Sequence, residues 1–216
     1  MLEFERQAWK DGHKRLAGVD EVGRGPLAGP VVAVALVFGR EFLEAEAEGL
    51  LSEIDDSKKV SQSKREAIYK FLLSSPHVEI GIGSADPREI DRLNIANATY
   101  VVMGRALQQL APLPDHALVD GLPVPGLPCS STAIVQGDGK SLSIAAASIV
   151  AKVIRDGIMR QLDVIYPAYG FAKHKGYGTR QHMKALLDHG PSPVHRMSFR
   201  PVRDAGQIIE RMEGME

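Results

Sequence analysis

Four acidic residues carry the chemistry that this sequence suggests. Asp20 and Glu21 end a short apolar run, Asp120 lies in Val-Asp-Gly, and Asp138 lies in Gly-Asp-Gly. Strand ends at one edge of a sheet converge in space, and clustered carboxylates repel one another unless they are protonated or neutralised by a cation. Mg²⁺ or Mn²⁺ would neutralise them with oxygen ligands, and two such ions about 3.5–4 Å apart could hydrolyse a phosphodiester.

Simpler explanations exist for these acids. Adjacent side chains on a regular strand point to opposite faces, so the strand must end or distort at Asp20 if both members of the pair serve one site. A hairpin with an exposed acidic tip would also produce the pair, and an Asp-Gly dipeptide usually marks only a turn. The segment GRGPLAGP at residues 23–30 can turn sharply and approach a ligand closely, which suggests a phosphate beside a metal ion.

Two further groups of polar residues could meet a substrate. Ser148, Lys152 and Asp156 form one polar stripe on a predicted helix. The stripe is either a structural Lys–Asp pair or a set of substrate contacts, and Asp156 could instead orient a site residue. Residues 171–203 hold seven Lys or Arg against one acid, and four of the seven histidines, without zinc-like spacing. Such a surface would attract a polyanion, and Tyr177 could stack on a sugar or base. Alternatively, the surface is only solvated, and Tyr177 packs on it as a lid.

Hydrophobic periodicity predicts one α/β domain with a mixed sheet. We expect strands at residues 16–20, 31–38, 78–85, 116–120 and 132–136. We expect helices at residues 63–73, 87–110, 141–166 and 180–189, and from 202 onwards; Ser63 and Glu66 would form the capping box of the first. Gly81 and Gly83 would let another backbone or a ligand pass close to their strand.

Composition limits the class of protein. The 216 residues suffice for one good core, the net charge is −1, and the single cysteine, Cys129, excludes an internal disulfide and a cysteine zinc site. The N-terminal segment MLEFERQAWK has no long apolar stretch. We therefore expect neither a signal peptide nor a membrane span, and a cytoplasmic protein.

The chain resembles the ribonuclease HII family, the bacterial type 2 ribonucleases H, over about its whole length. The matching segments, in order, are AGVDEVGRGPLAGPVV, DDSKKVS, IDRLNIANAT, VDG, GDGKSLSIAAASIVAKVIRD, KHKGYGT and HRMSF. The resemblance implies a ribonuclease H-like fold in one catalytic domain, residues 1–216. A mixed central sheet would be flanked by helices, with a basic helical C-terminal extension from about residue 171.

The resemblance also implies an activity. The enzyme would be a monomeric endonuclease that uses Mg²⁺ or Mn²⁺, two ions with substrate, to cleave RNA–DNA hybrids and duplex DNA containing single ribonucleotides. Cleavage 5′ of the ribonucleotide would leave a 3′-hydroxyl and a 5′-phosphate, in ribonucleotide excision repair and RNA primer removal. Two alternatives are the same metal site acting on hybrid RNA only, and a nucleic-acid-binding module that has lost catalysis.

Residue roles follow from the matching motifs. The catalytic and metal-binding carboxylates would be Asp20, Glu21, Asp120 and Asp138, with Asp138 preferred to Asp156 because it follows glycine in a loop. The loop Gly23-Arg24-Gly25 would sense the ribose 2′-hydroxyl through its backbone, and Tyr177 would stack against that sugar. The expected phosphate contacts are Lys58, Lys175 and Arg196.

Overall fold

The computed structural model describes residues 1–54 and 60–213. The helices are α1 (Glu3–Lys10), α2 (Arg40–Glu46), α3 (Gln62–Ser74), α4 (Pro87–Leu93), α5 (Ile95–Gln108), α6 (Leu142–Ile165), α7 (Phe171–His174), α8 (Arg180–His189) and α9 (Arg200–Glu213). The strands are β1 (Leu16–Val22), β2 (Val31–Phe38), β3 (Val78–Ala85), β4 (His116–Asp120) and β5 (Ser130–Ile134). Within the described ranges, no helix has the length and apolar character needed to cross a membrane.

The chain divides into two compact units. The sheet unit comprises residues 1–22, 32–84 and 99–153, and the C-terminal unit comprises residues 23–31, 85–98 and 154 onwards. The C-terminal unit therefore contains the predicted extension together with two earlier segments, one of which is the glycine-rich stretch after β1.

The sheet unit is built on a mixed sheet in the order β3-β2-β1-β4-β5. Strand β1 pairs antiparallel with β2 and parallel with β4, and β4 pairs parallel with β5. All eight residues of β2 are buried, as expected for an apolar strand covered on both faces. The mixed sheet predicted from the sequence is confirmed.

Glycines let helices pack directly on this sheet. A Cβ atom on Gly18 of β1 would lie 2.3 Å from the carbonyl carbon of Ser143, at the start of α6. On β3, a Cβ atom on Gly81 or Gly83 would lie 2.0 Å from a carbonyl oxygen of α5. The prediction that another backbone passes close to Gly81 and Gly83 is confirmed, and the backbone is that of a helix.

The helices differ most clearly from the predictions at the start of α3 and at Asn94. Ser61, not Ser63, caps α3, and its hydroxyl accepts a hydrogen bond of 3.4 Å from the Lys64 N–H. The helix expected over residues 87–110 is broken at Asn94, which has a φ of 63°. A left-handed residue cannot continue a right-handed helix, so α4 ends there and α5 begins at the next residue.

The C-terminal unit has its own apolar core. Met159 from α6, Phe171 from α7, Leu186 from α8 and Val202 from α9 are fully buried in it, and Ala28 joins them. Phe171–His174 form the short helix α7 at the start of the basic extension. This core anchors the basic segment predicted at the end of the chain.

Candidate active site

Asp20 and Asp120 lie side by side because their strands run parallel and in register. The pairing of β1 with β4 ends with Val19 opposite Val119. Asp20 and Asp120 are the next residues on the two strands, which lie about 4.8 Å apart in a sheet. Parallel pairing therefore brings together two acids that are 100 positions apart in the printed sequence.

Asp20 is the most buried of the four predicted site carboxylates, with 5% of its surface exposed. Burial raises the pKa of its carboxyl group well above the usual value, and the negative charges of Glu21 and then Asp120 raise it further. Two hydrogen bonds act in the opposite direction, from the Ser148 side chain and from the Glu21 N–H at 2.7 Å. Three carboxylates thus interact, and Ser148, predicted on the polar stripe of α6, orients one of them.

Strand β1 neither ends nor distorts at Asp20. Its antiparallel register with β2 continues regularly through Glu21 opposite Ala33 and Val22 opposite Val32. The strand predicted over residues 16–20 therefore continues to Val22, and only the pairing with β4 ends at this point; that both acids serve one site stays a prediction. Glu21 is half-buried on the other face, yet its charge still acts on Asp20.

The Gly-Asp-Gly segment is tied to the same strand end. The Gly137 N–H donates a hydrogen bond of 2.6 Å to Oδ1 of Asp120. A Cβ atom on Gly137 would lie 2.7 Å from Cδ1 of Ile144 and 3.3 Å from the same Asp120 oxygen, which explains the glycine. Asp138 follows in a 3-10 turn and is half-buried. It therefore shares the sheet unit with Asp20, whereas Asp156 belongs to the C-terminal unit.

The chemistry of these side chains fits a divalent cation. Their donors are carboxylate oxygens, which hard cations prefer, and their mutual repulsion would be relieved by positive charge. As the side chains stand, no group of three or more His, Cys, Asp or Glu in residues 1–54 and 60–213 is arranged to hold a metal ion.

In the C-terminal unit, two buried arginines hold the glycine-rich loop at residues 23–30. Arg155 donates to the carbonyl oxygens of Pro30 at 2.9 Å and Ala28 at 3.2 Å, and also to that of Lys175 at 3.0 Å. Arg196 donates to three carbonyl oxygens of the loop: Gly23 at 2.5 Å, Arg24 at 2.9 Å, and Gly29 at 2.9 and 3.1 Å. We call these two residues the arginine clamp.

Both members of the clamp are fully buried. Burial lowers the pKa of Arg155 to about 10 and, with the charge of Arg155, that of Arg196 to about 9. Both therefore stay charged at neutral pH. The expectation that Arg196 contacts phosphate is corrected, because its guanidinium is enclosed and bonded to main-chain carbonyls. Sequence reasoning did not single out Arg155, whose only signal was an arginine in the small apolar stretch SIAAASIVAKVIRD.

Tyr177 lies against the tip of the same loop. A Cβ atom on Gly25 would be 3.5 Å from Cε1 of Tyr177, an ordinary contact distance, and the Tyr177 side chain is 45% exposed. Gly25 and Arg24 are exposed, whereas Gly23 is buried. The ring and the loop tip thus lie close together within the C-terminal unit, and the roles expected of them toward the ribose stay predictions.

The other predicted site residues have varied surroundings. Lys175 has a left-handed φ of 51°, and its ammonium group donates to the Ala172 carbonyl. Lys152 and Asp156 are half-buried on α6. Lys58 lies outside the described residues. The roles assigned to these side chains remain predictions.

Comparison of the fold places the chain among the ribonucleases H. The crystal structure of ribonuclease H2 from Pyrococcus horikoshii OT3 matches with a TM-score of 0.78 and 26% identity, covering 91% of this chain and 99% of that one. Bst-RNase HIII, solved in complex with Mn²⁺, has the same fold, with a TM-score of 0.65 and 18% identity over 94% of this chain and 73% of that one.

The family follows from sequence. A family model described as Ribonuclease HII matches residues 17–202. Ribonuclease HII of Rhodospirillum rubrum is 55% identical over 191 residues, which is 88% of this chain and 86% of that protein. The chain belongs to the ribonuclease HII family, whose members are metal-dependent endonucleases that hydrolyse phosphodiester bonds. Ribonuclease H activity on RNA–DNA hybrids follows from this membership.

Proposed function

We propose that this enzyme cleaves RNA in RNA–DNA hybrids and also nicks duplex DNA on the 5′ side of a single embedded ribonucleotide. The observation that carries the proposal is the cluster of carboxylates where β4 ends beside β1, in which Asp20, Glu21 and Asp120 interact. Divalent cations bound to these oxygens would activate a water molecule and stabilise the leaving oxygen of the phosphodiester.

Each site residue in the sheet unit has a proposed role. Asp20, Glu21 and Asp120 hold Mg²⁺ or Mn²⁺, and Asp138 is the fourth carboxylate, supplied by a turn that the hydrogen bond from Gly137 to Asp120 attaches to the site. Ser148 donates to Asp20 and keeps that carboxylate oriented. Two ions are proposed with substrate because water activation and leaving-group stabilisation act on opposite sides of the phosphorus.

Selectivity for ribonucleotides is assigned to the loop and Tyr177. The clamp holds the carbonyls of Gly23, Arg24 and Gly29, so the Gly23-Arg24-Gly25 backbone, which is exposed at Arg24 and Gly25, is presented in one conformation. A ribose 2′-hydroxyl both donates and accepts hydrogen bonds, which suits recognition by a fixed backbone. The Tyr177 ring, which lies beside Gly25, stacks on the sugar and responds to its geometry.

The test uses a duplex DNA with one internal ribonucleotide and purified enzyme with Mg²⁺ or Mn²⁺. A nick 5′ of the ribonucleotide is expected, with a 3′-hydroxyl that a polymerase can extend. EDTA and Asp120→Asn should each abolish it, and the all-deoxy duplex should stay intact. Activity that survives both EDTA and Asp120→Asn would refute the metal mechanism.

Two controls test the substrate range and the identity of the fourth carboxylate. A long RNA–DNA hybrid cleaved beside an intact single-ribonucleotide duplex would restrict the enzyme to hybrids. Asp138→Asn and Asp156→Asn form a matched pair, and only the first should remove most of the activity. The reverse result would assign the fourth carboxylate to Asp156.

A further inference from the structure

Three buried histidines of the C-terminal unit form a connected group next to Tyr177. His174, His182 and His195 are 9%, 0% and 2% exposed. The rings of His174 and His182 stack with their centroids 4.5 Å apart, and the Nε2 atoms of His182 and His195 lie 2.9 Å apart. None of these contacts is used by the function proposed above.

The hydrogen-bond partners of each histidine ring determine which ring nitrogen carries the proton. The Ser192 N–H donates to Nδ1 of His195 at 2.9 Å, so this nitrogen is an acceptor and the proton of neutral His195 sits on Nε2. That proton is then donated to Nε2 of His182. Neutral His182 therefore carries its proton on Nδ1, which donates to the Tyr177 carbonyl at 2.9 Å.

The hydrogen bonds run from His195 to His182 and on to the Tyr177 carbonyl, and this direction requires both rings to be neutral. Burial lowers the pKa of His195 to about 4 and also lowers the pKa of His182. The titratable groups that face this pair are His174, stacked on His182, and Tyr169, whose ring centroid is 4.8 Å from that of His195. Tyr169 donates its own hydroxyl proton to the Gly190 carbonyl.

We propose that His182 and His195 are positioning residues that hold Tyr177 against the Gly25 loop. The Tyr177 carbonyl accepts from His182 and from the Thr179 N–H at 2.8 Å, while its own N–H donates to the His174 carbonyl at 2.9 Å. Because the ring itself is 45% exposed, its direction depends on this held backbone. The inference rests on the role proposed for Tyr177 in ribonucleotide cleavage.

A first test reads the protons directly in the wild-type protein. Long-range ¹H–¹⁵N spectra of histidine-labelled protein at pH 7 should show His195 neutral with its proton on Nε2, and His182 neutral with its proton on Nδ1. The opposite tautomer at either residue, or a charged ring at pH 7, would overturn the relay whatever the enzyme assays show.

A second test uses two amides that replace different nitrogens of His182. Asn places its NH₂ near the Nδ1 position and can still donate to the Tyr177 carbonyl, whereas Gln places its amide near Nε2 and cannot. We expect His182→Gln to lower kcat for single-ribonucleotide cleavage about fivefold to tenfold, because the substitution removes one hydrogen bond to the Tyr177 carbonyl. His182→Asn should stay within about twofold, as should His189→Gln, the same change at an exposed histidine of α8.

Combination with Tyr177→Ala distinguishes positioning from general destabilisation. If His182 acts through Tyr177, His182→Gln should have no further effect on cleavage in the Tyr177→Ala background. Multiplied losses would overturn the inference and leave His182 a packing residue. Unchanged ribonucleotide cleavage by Tyr177→Ala alone would refute the proposed role of Tyr177 instead, and this inference with it.

Discussion

Replacing Arg196 with lysine should separate the charge of the clamp from its shape. Arg196 donates to the carbonyls of Gly23, Arg24 and Gly29 from three different nitrogens. Lysine keeps the positive charge but presents a single ammonium in place of a planar fork, so it cannot reach all three acceptors. Gly23 and Gly29 are themselves buried, so a carbonyl that loses its donor there has no ready access to water.

The size of the effect follows from those carbonyls. A buried acceptor left without a donor costs about 1–3 kcal/mol, and we expect Arg196→Lys to leave at least one of the two in that state. For a domain of this size, each kcal/mol lowers the melting temperature by roughly 2–4 °C. The variant should therefore unfold about 2–12 °C earlier, and its loop should no longer hold one conformation.

Thermal unfolding and cleavage assays check this expectation. Arg200→Lys is the matched control, because the Arg200 side chain is 84% exposed and the same change there removes no buried bond. Arg196→Lys should lose ribonucleotide cleavage by tenfold or more at a temperature where it is still folded, while Arg200→Lys stays near wild type in stability. Wild-type stability and selectivity in Arg196→Lys would show that charge alone holds the loop and would refute the clamp.

Three further outcomes are expected. Asp20→Asn should abolish cleavage yet raise the free energy of unfolding of the metal-free protein by on the order of 1 kcal/mol, and its melting temperature with it, because it removes a buried like charge; Mg²⁺ should stabilise only the wild type. Gly18→Ala should destabilise strongly because its Cβ would lie 2.3 Å from the Ser143 backbone, whereas Gly104→Ala on α5, with open space around it, should stabilise by about 1 kcal/mol in urea unfolding. His195 has a pKa of about 4 when folded against 6.5 for free histidine, so the unfolded chain binds the proton first and stability should fall as pH drops from about 6.5 to 4. The loss should approach about 3 kcal/mol, and His195→Gln should lose less over the same range.

Features that depend on local sequence were predictable. The apolar run of β2, the alternation of β3 and the Asp86-Pro87 helix start all agree with the structure, since the Asp86 side chain accepts from the Glu89 N–H. The meeting of Asp20 with Asp120 could also be anticipated, because acids at the ends of parallel strands share one edge of a sheet.

Other features depend on partners that are distant in sequence. The clamp joins Arg196 to Gly29 across 167 positions, and no pattern around either residue indicates the other. The same holds for His182 and His195, whose spacing resembles no metal site and whose hydrogen bonds appear only when α8 and the segment before α9 are folded. The break at Asn94 was missed because IDRLNIANAT keeps a helical pattern of apolar residues through it.

Buried charge serves opposite purposes in the two units. In the C-terminal unit, main-chain carbonyl oxygens accept hydrogen bonds from each clamp arginine, so the protein itself compensates the positive charge. The same hydrogen bonds hold the loop. In the sheet unit, the charges acting on buried Asp20 are those of Glu21 and Asp120, which oppose its ionisation. A carboxylate kept among like charges costs stability, and beyond the hydrogen bonds from Ser148 and the Glu21 N–H a bound cation would compensate it. The difference between a charge that the fold satisfies and one that it leaves repelled therefore distinguishes the loop scaffold from the proposed catalytic centre.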